Sequence, residues 1–398
     1  MLHLIGITLN KKIARILFLA ATFLYWISLY LYVPTLSTFV KTRTSDLAVV
    51  GTVLSMYGLW QAIMRIPTGI GVDKLGRGKP FIVIGMLFAA AGALVMAYSQ
   101  SVTGLALGRT LTGFAAATWV PLVAVFSRMF EPKQAVYATS ILWLSGSIGR
   151  MLATSSNGFL NSAGGYQLAF VLAAVAAGAA ILFVLLSREE KREAHVVSVS
   201  SIAKLFRRAD LMLPSCISLV LQISTWGITF SFLAIKAEDF GANDIVKSLL
   251  VSLNLVALTS GSLLNTIITK RVNHVYLLLV SILAFVAGIF VMVAGGALPM
   301  LYLGTMLMGI AIGFAYPTLM GLSIREVEPS HRTTAMGIHQ SVYAIGMFAG
   351  PWLGGIISDS AGISTMFGVL AVFTLVGSYA LLTAYWKHHR RQNTTEGR

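Results

Sequence analysis

The chain has 398 residues, of which 57% are hydrophobic and 11% charged, with a formal net charge of +15. An ordinary soluble chain carries about 25% charged residues, so too little polar surface remains here to wrap a soluble domain of this length. This composition excludes a soluble enzyme, a disordered tail and a secreted disulfide scaffold, and the single cysteine, Cys216, allows no intrachain disulfide.

A helix needs about 20 mostly apolar residues to cross the hydrocarbon core. In chain order, the hydropathy pattern predicts spans 1 to 6 at residues 16–38, 48–71, 80–99, 102–126, 135–160 and 167–186. The first is too long for a signal h-region and is read as retained. Spans 7 to 12 follow at residues 211–234, 246–269, 275–294, 298–324, 333–357 and 365–386. The expected fold is therefore an all-α integral membrane protein. It has an N-terminal six-helix bundle (1–186), a solvated linker (187–210), and a C-terminal six-helix bundle ending in a short tail (211–398).

Most of the 29 Lys and Arg residues fall in the loops on one side, with the termini and the linker; Lys41, Arg43, Lys236 and Lys247 fall on the other. The positive-inside rule then places both termini in the cytoplasm. The basic excess sets topology and is no footprint for nucleic acid.

The two halves repeat at a shift of about 196–197 residues. Leu107-Gly108-Arg109 through Gly113 to Pro121 lies over Leu303-Gly304-Thr305 through Gly309 to Pro317, Gly149 lies over Gly346, and Glu131-Pro132 lies near Glu328-Pro329. Six spans per half make these parallel repeats, related by an axis along the membrane normal.

The loop after span 2 reads Gly69-Ile-Gly-Val-Asp73-Lys-Leu-Gly76-Arg77-Gly-Lys79. It resembles the G-x-L-x-D-R-x-G-R-R/K signature of the major facilitator superfamily, with Gly71 and Lys74 departing from the pattern. Arg109-Thr-Leu-Thr-Gly113 in span 4 is similar to that family's R-x-x-x-G signature. Span 11 carries Gly346-Met-Phe-Ala-Gly350-Pro351-Trp-Leu-Gly354-Gly355, which looks like the G-x-x-x-G-P-x-x-G-G pattern that family exporters keep in span 5. Span 5 itself has Arg150 and no Gly-Pro pair. The resemblance, which covers nearly the whole chain, implies transport by alternating access with a site between the halves. It also implies a gate at the Asp73 loop, with Asp73 facing the start of span 11 near Thr333. The gating residues expected on this basis are Gly69, Asp73, Gly76, Arg77, Lys79, Arg65, Gly350 and Pro351.

Ionisable residues inside spans are expensive and mark functional sites. Three are evident, Arg65, Arg109 and Arg150, and no Asp or Glu lies deep in a span to pair them. Arg150 is about 16 residues from the terminus-side end of span 5, roughly 24 Å at the helical rise. It is too deep to reach that surface. It either holds a substrate carboxylate or phosphate, which a planar fork suits, or bonds to hydroxyls such as Ser145 or Thr154. Arg109 either lines the cavity or stiffens the packing of span 4. Arg65, eight residues before Asp73, is expected near the gate.

His339, Tyr343 and Met347 share a helix face, and their repeat partners are Leu142, Gly146 and Arg150. If that face lines the cavity, His339 is a candidate for proton coupling; the alternative is a satisfied packing histidine. Tyr25, Trp26, Tyr30, Trp119, Gln222, Trp226, Tyr316 and Gln340 complete the expected pocket.

The sequence has no phosphate loop, metalloprotease helix or nucleophile elbow, so no enzyme, cofactor or metal site is expected. The preferred reading is a monomeric, multi-pass inner-membrane secondary transporter of a small organic anion, with the lipid bilayer as its surroundings. A proton-coupled exporter of lipophilic or cationic compounds and a non-transporting membrane sensor remain alternatives.

Overall fold

The computed structural model describes residues 11–131, 134–187, 189, 199–328 and 331–396. Of the Lys and Arg residues on the terminus side, Lys133, Arg188, Lys191, Arg192 and Arg398 lie outside the described residues, as do Pro132 and Pro329 of the repeat.

All regular structure among the described residues is helical. Among the described residues eleven helices are long and apolar enough to cross a membrane, and one of them is two spans. Ala135–Leu186 is interrupted at Gly164 (φ −150°, ψ 22°) and Gly165 (φ 67°, ψ −179°), which separates span 5 from span 6. A side chain at Gly165 would be forced into the left-handed region, so the turn depends on glycine there. Twelve spans result, as the hydropathy pattern predicts.

Several spans are broken. Span 1 comprises Lys11–Tyr30 and Val33–Lys41, span 4 comprises Val102–Ala116 and Trp119–Arg128, and span 7 comprises Ala209–Gly227, a π-helical turn at Ile228–Phe232, and Leu233–Glu238. The first two breaks lie just ahead of Pro34 and Pro121, whose rings cannot continue the hydrogen-bond ladder of the preceding turn. The break in span 1 and the π turn in span 7 fall at equivalent places in the repeat. Spans 2, 3, 8, 9, 10 and 11 are single helices at Leu47–Leu75, Lys79–Tyr98, Asp244–Ile268, His274–Ala294, Leu298–Arg325 and Arg332–Ala361.

Span 12 runs from Ile363 to Glu396, about ten residues beyond the apolar stretch. Side-chain stacking carries it on: Tyr385 stacks on His389, and the Arg390 guanidinium lies 3.8 Å from the centre of the Trp386 ring. The linker also departs from expectation. It is not wholly solvated, because Val199–Phe206 is a helix. Leu205 in that helix is buried with Leu211, Val327, Ala335, Ile338 and Val342, and Ile202 packs against the same cluster. Apolar residues three apart give a short helix one sticky face.

Leu87, Val175, Leu263 and Val376 are exposed on the outside of the molecule. In water such a surface would drive association; in hydrocarbon it is matched.

Spans 2 and 11 pack against each other, as do spans 5 and 8, and these two seams join the halves. At the end opposite the termini both close to backbone contact. A Cβ on Gly355 would stand 2.6 Å from the Leu47 carbonyl oxygen and 2.9 Å from the Cα of Gly51. One on Gly158 would collide with the Asp244 carbonyl and the Ile245 backbone. Gly158 and Gly355 are repeat partners, and so are their contacts. Polar bonds reinforce both seams: Leu47 N–H donates to Asp359 Oδ1 at 3.0 Å, and Asn161 Nδ2 donates to Asp244 Oδ2 at 2.8 Å. Beside the second seam, Lys247 Nζ, its side chain 6% exposed, is held by Glu238 Oε1 (3.0 Å) and Asp244 Oδ1 (3.1 Å), and Lys41 pairs with Glu238 Oε2 (3.0 Å). Lys247 had been counted as a loop charge; the first turn of span 8 buries it between two carboxylates.

Candidate substrate site

Between the halves lies a cavity of about 130 Å³, lined from spans 1, 2, 4 and 5 on one side and spans 7, 8, 10 and 11 on the other. Its wall is aromatic. Trp26 meets Trp119 edge-on at 5.4 Å between ring centres, and Tyr30 at 5.6 Å. Two contacts cross between the halves: Tyr57 stacks on Trp226 at 5.2 Å, and Tyr30 meets Phe230 at 6.1 Å. Such pairs contribute about 0.5–1.5 kcal/mol beyond their buried area.

Two cations stand in it. The Arg150 guanidinium lies 4.6 Å from the Trp26 ring centre, 5.4 Å from that of Trp143 and 5.9 Å from that of Tyr30. Its Nη2 donates to Ser147 Oγ at 3.0 Å, and its Nε, buried, has no hydrogen-bond partner. Thus the hydroxyl partner is Ser147, one turn back on the same helix, rather than Ser145 or Thr154. Arg65, 3% exposed, donates from Nη1 to the Tyr343 hydroxyl (2.8 Å) and the Gln340 carbonyl (3.3 Å) of span 11. Arg65 therefore belongs to the cavity wall and not to the terminus-side rim. Counting residues back from Asp73 measured rise along the helix and missed the reach of a long side chain across to the other half. Neither guanidinium has a carboxylate partner among the described residues.

Of the expected pocket residues, Arg150, Trp26, Tyr30, Trp119, Gln222, Trp226, Tyr316 and Tyr343 line the cavity. Four stand behind it. Tyr25 is buried and donates its hydroxyl to the Ala115 carbonyl at 2.9 Å. Gln340 contributes only its backbone carbonyl, to Arg65. His339, with no exposed surface, has Nδ1 2.9 Å from Ser215 Oγ and Nε2 3.5 Å from Ser218 Oγ. The face it shares with Tyr343 and Met347 turns toward span 7 at its depth, where both ring nitrogens face serine hydroxyls.

Arg109 is the fourth. Its guanidinium lies 4.5 Å from the Tyr57 ring centre, behind the wall, with Nε and Nη1 unpartnered. One turn on, a Cβ at Gly113 would stand 2.9 Å from the Tyr57 carbonyl oxygen. The R-x-x-x-G pattern is thereby a seat for Tyr57. The second half keeps the seat with other chemistry: Asn254, the repeat partner of Tyr57, donates to the Thr305 carbonyl at 2.9 Å, and its own carbonyl closes on Gly309.

Sequence reasoning missed Tyr57, Gln61, Trp143, Ser147, Thr225, Phe230, Leu255, Leu258, Thr259 and Ile312 as wall residues, while Met347 lies on the face it had singled out. Helical spacing was the available signal: Tyr57, Gln61 and Arg65 are four apart, and Trp143, Ser147 and Arg150 share one face.

At the terminus-side loop, Gly76 caps span 2 in the left-handed conformation (φ 65°), one turn after Asp73. The Glu189 carboxylate accepts from Gly78 N–H (2.6 Å) and Lys79 N–H (2.9 Å), while Lys79 Nζ donates to the Leu185 and Ser187 carbonyls at the end of span 6. Lys79 thus ties the loop to span 6 of its own half. The side chain of Thr333, near which Asp73 was expected to dock, lies outside the described residues. Gly69 faces only Val120, at 3.9 Å. Gly350 packs on Ile223 and Gly227 of span 7, and the Pro351 carbonyl packs on Gly51 of span 2, so the Gly-Pro pair of span 11 sits where the halves meet.

The Major Facilitator Superfamily profile matches residues 18–235 and 215–398. The chain belongs to this superfamily. It is 26% identical over 371 residues to the inner membrane transport protein YajR of Escherichia coli (strain K12), covering 90% of this chain and 78% of YajR. It is 23% identical over 388 residues to multidrug resistance protein 1 of Bacillus subtilis (strain 168), covering 95% and 97%. A crystal structure of the nucleoside transporter NupG superposes with a TM-score of 0.78 at 19% identity, covering 93% of this chain and 99% of that one. This superfamily member is a secondary transporter of a small molecule and a multi-pass protein of the inner membrane; it is not an enzyme.

Proposed function

We propose that the protein carries a small organic anion by alternating access, with Arg150 as the anion's anchor. The observation that carries this reading is the pair of guanidiniums on the cavity wall, with no carboxylate among the residues that line it. A planar fork with one hydroxyl partner keeps donors available for a bidentate carboxylate. Removed from bulk water, that pairing is stronger than it would be at a surface.

Two units, 1–186 and 211–398, rock about this site, joined by the linker. The termini, the linker and the Asp73 loop are cytoplasmic, in accord with the distribution of Lys and Arg. The seams at Gly158 and Gly355 then close the external end, and the conformation described is shut to the outside. The Asp73 loop, braced on span 6 by Lys79 and Glu189, latches the cytoplasmic end in the opposite state. A monomer suffices, because one chain supplies the whole cavity wall.

A second reading, export of lipophilic or cationic compounds, draws on the aromatic wall and on the similarity to multidrug resistance protein 1. Two cations in the wall oppose a cationic cargo. Uptake into proteoliposomes separates the readings: anion flux that is lost in Arg150→Ala and partly kept in Arg150→Lys supports the first. Flux of lipophilic cations, unchanged in Arg150→Ala, would overturn it.

A further inference from the structure

We infer that the substrate is a monocarboxylate built on a single aromatic ring, of about the size of benzoate. This rests on the anion reading above and narrows it in charge, size and character.

Charge comes first. Arg65 is committed to the far half, through the Tyr343 hydroxyl and the Gln340 carbonyl. Both guanidiniums keep an unpartnered Nε, but the hydrogen bond described for Arg150 stays on its own helix. Arg150 can therefore take an anion without giving up a bond between the halves, and one carboxylate satisfies it. A second carboxylate would compete with the bond that joins Arg65 to span 11.

Size follows from the cavity, about 130 Å³. A dry cavity of about 150 Å³ holds one benzene ring; this space is no larger, so a single ring is the most it takes, and setting a carboxylate against Arg150 needs a small outward shift of the wall. Two or three fused rings would require the seams to part.

Character follows from what faces the space. Trp26 and Tyr30 flank Arg150, and Trp226 and Phe230, themselves in contact at 4.8 Å, face them from the other half. A flat ring gains from edge-to-face and offset contacts on both sides, about 0.5–1.5 kcal/mol for each good pair; a puckered aliphatic ring of equal bulk does not. A ring touching both halves also gives the loaded carrier a closed state that the empty one lacks, because bound substrate biases whichever state it contacts more fully.

The test is isothermal titration of the purified full-length protein in lipid nanodiscs with four probes: benzoate, cyclohexanecarboxylate, benzamide and anthracene-9-carboxylate. Benzoate should bind at least tenfold more tightly than cyclohexanecarboxylate, which matches its charge and bulk, and than benzamide, which matches its ring. Anthracene-9-carboxylate should bind at least tenfold more weakly than benzoate. Equal or tighter binding of cyclohexanecarboxylate overturns the aromatic assignment and leaves the anion reading standing. Equal or tighter binding of the three-ring acid overturns the size limit. Binding of none of the four overturns the inference and leaves the anion reading to the flux test above; binding of benzamide as tight as that of benzoate overturns both together. The panel is read on unaltered protein, so no variant has to fold; Arg150→Lys, where it does, should weaken benzoate binding and keep the preference for the aromatic ring.

Discussion

The Arg65 guanidinium donates to the Tyr343 hydroxyl at 2.8 Å and carries a hydrogen bond from one half of the molecule to the other. The same guanidinium lies 5.1 Å from the Tyr343 ring centre. One residue of span 11 therefore holds a buried cation by both its oxygen and its ring, in a place where no carboxylate among the described residues does so.

Removing that oxygen should loosen the seam between spans 2 and 11 without emptying the space. Hydrogen bonds to charged groups contribute about 1.5–3 kcal/mol. Tyr343→Phe is expected to fold and to spend more time open at the end opposite the termini. The check is labelling of Ser358→Cys, buried at that end of span 11, in a Cys216→Ser background, by an impermeant maleimide. Labelling no faster than in the parent would remove the cross-half role of this bond.

At the anion anchor, Arg150→Ala should lower transport by about 10–100-fold, the equivalent of one charge-assisted hydrogen-bonded pair. Counterflow with labelled benzoate measures it. Arg150→Lys keeps the charge and loses the fork, so it should fall between the two. An alanine variant that transports at the parental rate would place the anion elsewhere.

Gly355→Val should block closure of the far end, since even one added carbon meets the Leu47 carbonyl and Gly51. Overpacking of this kind costs about 1–3 kcal/mol, occasionally more, and here it opposes one state of the cycle. Net transport should stop while the protein still reaches the membrane and binds benzoate. Parental turnover in this variant would show that the glycine contact is dispensable.

Lys247→Met leaves Glu238 and Asp244 facing each other across a largely buried gap. Breaking a buried ion pair from one side costs about 3–5 kcal/mol, and the partly exposed acids place this site at the lower end. The thermal unfolding midpoint should drop clearly in Lys247→Met. Most of the loss should return in Lys247→Met combined with Glu238→Gln and Asp244→Asn. A triple variant no more stable than the single one would mean that packing of the lysine stem, rather than charge, is what matters.

His339→Asn should leave the pH profile of transport unchanged and lower stability, because the imidazole serves the Ser215 and Ser218 hydroxyls rather than the cavity. A flattened profile would restore His339 as a coupling group.

The spans were legible in the sequence because a bilayer imposes a length, and the repeat because duplicated turns keep their glycines. Arg150 was legible because a charge inside an apolar run has few innocent explanations. Arg65 and Lys247 were misplaced, and the two readings of His339 stayed open, for a shared reason: each is defined by a neighbour more than two helical turns away or on another helix. Arg65 reaches Tyr343, His339 is enclosed by span 7, and Lys247 is clasped by Glu238. Distance along one helix cannot say which way a four-carbon stem leans, or which helix lies opposite. The R-x-x-x-G pattern is the converse case. Its residues were found, but their purpose was visible only once Tyr57 lay upon them.

The paired contacts at Gly158 and Gly355 share a backbone geometry and differ in what surrounds it. Beside Gly158 stand Lys41, Glu238, Lys247 and Asp244; beside Gly355 a single backbone N–H meets Asp359. Dissolved ions weaken the exposed Lys41–Glu238 pair, affect the buried Lys247 little and leave glycine packing untouched, the Debye length being about 8 Å at physiological ionic strength. Raising salt should therefore loosen one edge of the closed end and not the other, so the halves would part asymmetrically, swinging about the span 2–span 11 edge.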